Sequence, residues 1–241
     1  MTDRTPRRSE TQPRCKLAAQ EHGMTIMPLV LHGYRYSVYL RIVRLALAEK
    51  GVGYERVEVD PFASDVPASY LALHPFGRVP ALVHDGFALY ETGAITRYVD
   101  RAFPGPSLQP AGPRALARMD QIIAIADSYG YWPMVRQVFS HAVFRPRLGQ
   151  PADAAEVERG LAASTKVLAA VEPLIADGGP TLADLHLGAM MAYFVLAPEG
   201  AALLRQHGRL AAWWAELSAR PSFSATDPGL PPAAGRVDGP G

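Results

Sequence analysis

Apolar and polar positions divide the chain into two unlike parts. Between residues 28 and 105 short apolar runs alternate with brief helical stretches, and from residue 114 onward the apolar period is helical throughout. Pro28-Leu29-Val30-Leu31-His32-Gly33 is an apolar run closed by glycine, which predicts a buried strand. After the loop Tyr34-Arg35-Tyr36-Ser37, the residues Leu40, Val43, Leu45, Leu47 and their neighbours fill a broad helical face from Val38 to Lys50. Arg41, Arg44, Glu49 and Lys50 take the polar positions, and Gly51 stops the helix. Tyr54 to Val59 alternates, which predicts a second strand parallel to the first. Pro61 to His74 reads as loop with a helical turn over Ala68–Leu73. Ala81-Leu82-Val83 is a strand, Asp85-Gly86 a two-residue hairpin turn, and Phe87 to Tyr90 the returning partner. Ala94, Ile95, Tyr98 and Val99 then recur at helical spacing, with Thr92 as the expected N-cap.

The Pro/Gly cluster from Phe103 to Pro113 is the strongest boundary signal in the chain. Beyond it the pattern predicts a long helix over Arg114–Phe144 broken at Pro133, and a second over Ala152–Ala176 bent at Pro173. Thr181-Leu182-Ala183-Asp184 reads as a capping box with Asp in the usual Glu place, opening an apolar helix to about Leu196. An amphipathic helix over Arg209–Ala219 carries Trp213 and Trp214. The expected organisation is a disordered extension over 1–26, an α/β domain over 27–105, a linker over 106–113, an all-helical domain over 114–225 and a disordered tail over 226–241.

Composition narrows the classes of function. With 241 residues, 49% hydrophobic and 20% charged, the chain has material for a sizeable core. A net charge of +1 offers no bulk attraction to nucleic acid or to an acidic membrane surface. No apolar run approaches the ~20 residues of a membrane span, and residues 1–23 are polar and basic with no apolar signal core. Met24 or Met27 is an alternative start for the folded part. The single cysteine, Cys15, allows no intrachain disulfide; a reducing, cytoplasmic setting is expected, and no metal-ligand pattern stands out.

The candidate chemistry lies between His74 and Tyr98. Pro80 lacks an N–H and belongs at a strand start, and X-Pro bonds are the ones that adopt cis readily. A turned backbone at Val79 leaves its N–H and C=O free to pair with an extended peptide, as in strand addition. The helix terminus at Thr92 is a site for a carboxylate. On these residues alone two readings stand: a peptide clamp beside an anion site, or an ordinary hairpin followed by a packed helix.

Tyr36-Ser37-Val38-Tyr39, Arg78-Val79-Pro80-Ala81-Leu82, Tyr90-Glu91-Thr92 and Thr181-x-x-Asp184, in this order, resemble the soluble glutathione transferase superfamily over about residues 27–225. The serine before the first helix, set beside Arg44-Leu45-Ala46-Leu47, points to the bacterial-type theta-, zeta- or delta-like serine classes. The resemblance implies a thioredoxin-like N-terminal domain, a helical C-terminal domain, a homodimer and glutathione as co-substrate. It implies that Val79 pairs with the cysteinyl backbone of glutathione beside a cis Pro80, and that Glu91 and Thr92 hold its γ-glutamyl end. Thr181 and Asp184 match a structural capping box.

By the same resemblance Ser37 acts on the glutathione thiol; the alternative is that it only caps the helix. Tyr34, Tyr36 and Tyr39 are rivals for the thiol, and Arg78 and His74 are candidates at the glycyl carboxylate. Tyr36, Tyr39, Tyr129, Tyr131, Trp132 and Arg136 are candidates for a second-substrate pocket, with helix packing as the competing role. Asp120 is a candidate to reach the γ-glutamyl amine across a dimer interface. No cysteine stands near the first helix, which argues against disulfide chemistry of the omega or glutaredoxin kind. The Ser-Ser-Cys-type run of the zeta isomerases is missing too. The expected function is glutathione S-transfer to a small apolar electrophile, with peroxidase activity as a variant. A non-catalytic binding or regulatory protein on the same fold is the alternative.

Overall fold

The computed structural model describes residues 29–234. The expected extension over 1–26, with Cys15 and both alternative starts, lies outside the described residues, as does the end of the tail.

The first half is built on four strands, β1 (Val30–Gly33), β2 (Glu55–Glu58), β3 (Ala81–His84) and β4 (Phe87–Tyr90), in the spatial order β2-β1-β3-β4. β1 and β2 are parallel; β1–β3 and β3–β4 are antiparallel. Asp85 (φ 49°) and Gly86 (φ 79°) both take left-handed backbone at the hairpin tip, as a two-residue turn that follows strand twist requires. Leu31 pairs with Leu82 across β1 and β3, and both face the main core. Ala81 points to the other face, where it meets Tyr70 of α2 (Ala68–Leu73). The main-core face is covered by α1 (Val38–Glu49) and α3 (Thr92–Ala102). This is the thioredoxin-like arrangement that the resemblance implies.

The second half is helical. α4 (Pro113–Ile125) runs without interruption into a wider, π-helical segment, Ala126–Phe144, and the turn α5 (Arg145–Arg147). The expected break at Pro133 does not occur. In an α-helix the proline ring collides with the carbonyl four residues back; a wider turn removes both the clash and the need for the missing N–H. α6 (Ala154–Val171) packs against this segment at Gly160, where an added Cβ would come within 2.9 Å of the Pro133 carbonyl oxygen. The helix then tightens into a 3₁₀ turn, Glu172–Leu174, at Pro173, where a bend is expected. α7 (Leu182–Phe194) is apolar on every side and buried on every side. α8 (Pro198–Leu204), α9 (Gly208–Ser218) and α10 (Pro221–Ala225) complete the domain. α8 and α10 are too short for a helical period to register in the sequence.

The two halves pack mainly through α1. α1 lies between the sheet and α7, with Leu40, Ile42, Leu45 and Leu47 fully buried, and its C-terminal end meets α10. Its broad apolar face has two partners, one in each half. The polar positions of α1 are used in the same interface. Arg41 is buried and donates from Nη2 to the Phe223 carbonyl at 3.1 Å. Glu49 takes both Arg220 Nε (2.9 Å) and Nη2 (2.7 Å). α3 and α4 meet through the Arg97–Asp120 ion pair.

The tail departs from expectation as well. Residues 226–234 cross the domain boundary as a strap held largely by its carbonyls. Arg44 Nη1 donates to Thr226 (3.0 Å), Arg35 Nε to Pro228 (3.2 Å) and Arg147 Nε to Pro231 (2.8 Å). Proline lacks a donor but keeps its acceptor, so a Pro-rich segment that cannot form helix or sheet can still be gripped by arginines.

Candidate functional site

A cleft of about 560 Å³ separates the halves. One wall is made of the β1–α1 loop, the loop after β2, the Val79–Pro80 peptide and the start of α3; the other is the Ala126–Phe144 helix.

Ser37 is the N-cap of α1, with extended backbone (φ −72°, ψ 124°). Its Oγ accepts the Leu40 N–H at 3.3 Å, and its own N–H is held by the Tyr34 carbonyl at 2.9 Å. The hydroxyl therefore sits at the cleft side of a helix N-terminus, with its own hydrogen uncommitted among the described residues. The cap reading and the thiol reading are compatible, because the cap uses the acceptor and leaves the donor.

The Val79–Pro80 peptide is cis, as the strand-opening proline suggests, and both residues line the cleft. Behind them the Tyr70 hydroxyl donates to the Arg78 carbonyl at 2.6 Å, and burial pushes that phenol up to about 12. Thr92, expected as the N-cap of α3, is instead its first residue and is buried. The cap position is Glu91, in left-handed backbone (φ 72°) with no side-chain cap bond. For a residue with a Cβ such backbone costs ~1–3 kcal/mol. It reverses the chain sharply out of β4, and Glu91, Thr92 and Gly93 come to line the cleft with the first-turn N–H groups of α3. His74 stacks on Tyr90 at 4.7 Å, and its Nδ1 has no hydrogen-bond partner among the described residues. Burial lowers its pKa, against an opposing pull from Glu91.

The tyrosines divide. Tyr39 packs on Tyr131 at 4.9 Å. Burial, and then the charge of Asp127, push its phenol far above the ordinary range. Tyr36 stands edge-on to Tyr34 and to Phe144, each at 5.6 Å. On the opposite wall the cleft face of the helix runs through Asp127, Tyr131, Trp132, Val135, Arg136, Phe139, Ser140 and Phe144. Tyr129 falls off that face: it is 67% exposed and lies outside the cleft. Two residues from both Asp127 and Tyr131, it stands about half a turn from the cleft face, as it would in an ordinary α-helix too. Asp120 also lies outside, committed to Arg97 of the same chain.

The sequence reading missed Phe62, Phe139, Phe144 and Asp127. Phe62 belongs to an aperiodic loop and carries no pattern. The others show only as a four- to five-residue spacing with Tyr131 and Val135. Behind Asp127 stands His186, fully buried, its Nδ1 3.5 Å from Asp127 Oδ1. Among the described residues no group of three or more His, Cys, Asp or Glu is placed to hold a metal ion, and no helix is long and apolar enough to cross a membrane.

Comparison with known proteins agrees with this architecture. Residues 31–107 match the profile of the glutathione S-transferase N-terminal domain. Glutathione S-transferase F13 of Arabidopsis thaliana is 31% identical over 214 residues, covering 85% of this chain and 97% of that protein. A structure of glutathione S-transferase III in apo form superposes with a TM-score of 0.75 at 32% identity, covering 86% of this chain and 99% of the other. A structure of glutathione S-transferase I bound with lactoylglutathione gives 0.74 at 28% identity, covering 83% and 98%. The class assignment is thereby corrected: the relatives are plant phi-class (F) proteins, not the bacterial-type theta-, zeta- or delta-like classes. The motifs that carry the resemblance serve thiol positioning, the clamp and the cap, which are too general to separate one serine class from another. With the fold, the cleft and a relative matched over nearly its whole length, this chain belongs to the glutathione S-transferase superfamily.

Proposed function

We propose that the chain is a glutathione transferase that holds glutathione along the N-terminal wall of the cleft and delivers its thiolate to a small electrophile seated against the helical wall. The observation that carries this reading is the position of Ser37. It is a hydroxyl whose hydrogen is uncommitted among the described residues, at the N-terminus of α1 and in the same cleft as the cis Val79–Pro80 peptide and the start of α3.

The chemistry needs a thiolate. A free thiol has a pKa near ~8.5, and each unit of depression takes ~1.4 kcal/mol of preferential thiolate stabilisation. The Ser37 O–H donates to the sulfur while the α1 dipole favours negative charge there. Because its Oγ accepts the Leu40 N–H, the hydroxyl is held in place and polarised toward donation. The backbone of Val79 pairs with the cysteinyl unit. Glu91, Thr92 and the free N–H groups of α3 take the γ-glutamyl end, and Arg78 takes the glycyl carboxylate. In the reaction the sulfur lone pair forms a C–S bond at the electrophilic carbon. The leaving group departs with its bonding pair, or the pair moves into an adjacent acceptor, and the thiol proton passes to solvent.

The reading extends to a two-fold dimer working in the cytoplasm. Large apolar side chains at the surface of the N-terminal half, Phe76 at 72% exposure and Phe87 at 52%, support the dimer. Light scattering at micromolar concentration checks it, and a monomeric mass removes it.

The test of the thiol assignment is the thiolate absorbance of the glutathione complex as a function of pH. Ser37→Ala is expected to move that titration upward and to lower kcat. Loss of one charge-assisted hydrogen bond is worth ~1.5–3 kcal/mol, on the order of ten- to hundredfold in rate. A titration unmoved by Ser37→Ala but shifted by Tyr36→Phe or Tyr39→Phe transfers the role to that tyrosine.

A further inference from the structure

The electrophile half of the cleft carries a charge that glutathione activation does not use. Arg136 lines it from the helical wall, and its guanidinium lies 5.7 Å from the ring centroid of Phe62 on the opposite wall. Among the described residues Arg136 makes no ion pair and no hydrogen bond. Stacking on an aromatic face occupies the flat side of a guanidinium and leaves its in-plane N–H donors free. Ser140, four residues on and also lining the cleft, adds a hydroxyl on the same face. Around this cation the surface is aromatic: Tyr36 and Phe144 meet edge-on at 5.6 Å, and Trp132 is 59% exposed.

The acids of the cleft stand elsewhere. Asp127 precedes Arg136 by nine residues, on the order of 10 Å along a helix axis, and faces His186 at 3.5 Å. Glu91 belongs to the start of α3. Arg78, the other cation in the lining, is on the glutathione wall.

We propose that Arg136 is a specificity-determining residue and that the second substrate is an aromatic electrophile bearing a carboxylate. The ring lies among Tyr36, Phe62 and Phe144, and the carboxylate takes the guanidinium fork in two parallel hydrogen bonds. This rests on the glutathione transferase reading above.

The experiment uses a matched pair of probes, 4-chloro-3-nitrobenzoate and its neutral isostere 4-chloro-3-nitrobenzamide. With either one the glutathione thiolate attacks the carbon bearing chlorine, a C–S bond forms, chloride leaves with the bonding pair, and the thiol proton goes to solvent. Glutathione binding is first established by thiolate absorbance, and kcat/KM is then measured for both probes. Each kcat/KM is divided by that probe's uncatalysed rate constant with glutathione, because a carboxylate para to chlorine activates the ring less than a carboxamide does. The wild-type benzoate-to-benzamide ratio of the normalised values is expected to be about ten- to hundredfold, the worth of a charge-assisted bidentate pair. In Arg136→Gln the ratio should collapse toward one, and in Arg136→Lys it should recover in part, because lysine keeps the charge and loses the fork. A wild-type ratio near one in a protein that binds glutathione overturns the proposal and leaves the transferase reading standing. A rise in the KM for glutathione in Arg136→Gln, with the probe ratio unchanged, also overturns it and moves the guanidinium to the glycyl carboxylate. Failure to bind glutathione overturns both.

Discussion

At the scale of single residues, the site uses side chains twice. Ser37 closes the first turn of α1 and faces the cleft, so Ser37→Ala has two separable consequences. The kinetic one is described above. The structural one is loss of the bond to the Leu40 N–H, which should cost ~1 kcal/mol of unfolding free energy and is read by urea denaturation without glutathione. Ser37→Gly should recover most of that stability, because glycine is a tolerable cap, yet none of the thiol effect. Thr92 separates in the opposite sense. As the buried first residue of α3 it lines the cleft, and the cap is at Glu91. Thr92→Val keeps the shape and the N–H and removes the hydroxyl. It should weaken glutathione binding by about tenfold, the worth of one hydrogen bond to a charged group, and leave the thiol titration in place. Calorimetric titration with glutathione checks the first part, and the absorbance titration checks the second.

At the scale of elements, α7 shows how a central helix depends on its first turn. It is largely apolar and buried, and the capping box at its N-terminus fixes its first turn. Asp184 Oδ2 accepts both the Thr181 N–H and the Thr181 hydroxyl at 2.7 Å, and Oδ1 accepts Trp213 Nε1 at 2.8 Å. One carboxylate thus starts α7 and ties it to α9. Asp184→Ala should destabilise the protein by ~2–4 kcal/mol, combining a lost cap with a lost charge-assisted bond. Asp184→Asn, which keeps one acceptor, should cost less. Denaturant midpoints for the two variants decide the matter, and a loss below ~0.5 kcal/mol for the alanine variant would remove the capping box from the account of stability.

At the scale of the whole molecule, the halves are joined by α1 and by charges along its flank. Arg220 holds the Glu49 carboxyl below its ordinary range by hydrogen bonding; burial opposes this, and the Ser222 hydroxyl assists. A carboxyl whose folded pKa is depressed stabilises the fold above its unfolded value and loses that contribution as pH falls through the folded value. Stability should therefore decline below about 4.5, the ordinary value for this carboxyl. Arg220→Ala should be less stable at neutral pH and show a shallower acid decline. Denaturation midpoints at pH 7, 5, 4 and 3 give both slopes, and parallel slopes would exclude this clamp as a source of acid sensitivity.

The same scales separate what was legible in the chain from what was not. The sequence by itself determined the local events. The alternation after β1, the Asp85-Gly86 turn, the cis-prone proline and the capping box are decided by neighbours a few residues apart, and each stands where its pattern places it. It also determined most of the N-terminal wall of the cleft, because Ser37, Arg78, Val79, Pro80, Glu91 and Thr92 sit at element boundaries, where backbone groups are unsatisfied and the residue choice is narrow. Only the tertiary structure decided the rest. Tyr129 lies half a turn from Asp127 and Tyr131 and faces away from the cleft, while Phe139 and Phe144 line it along a helix whose wider turn around Pro133 keeps a four- to five-residue spacing on one face. α1 became the interface between the halves because both present apolar surface to it, a fact that no single helix period contains. The strap over residues 226–234 is held by arginines 84 to 193 positions away in the chain. Phe62 meets Arg136 only because the two halves close on the same cleft. Contacts between residues far apart in sequence are paid for by packing of the whole molecule, and local pattern carries no record of them.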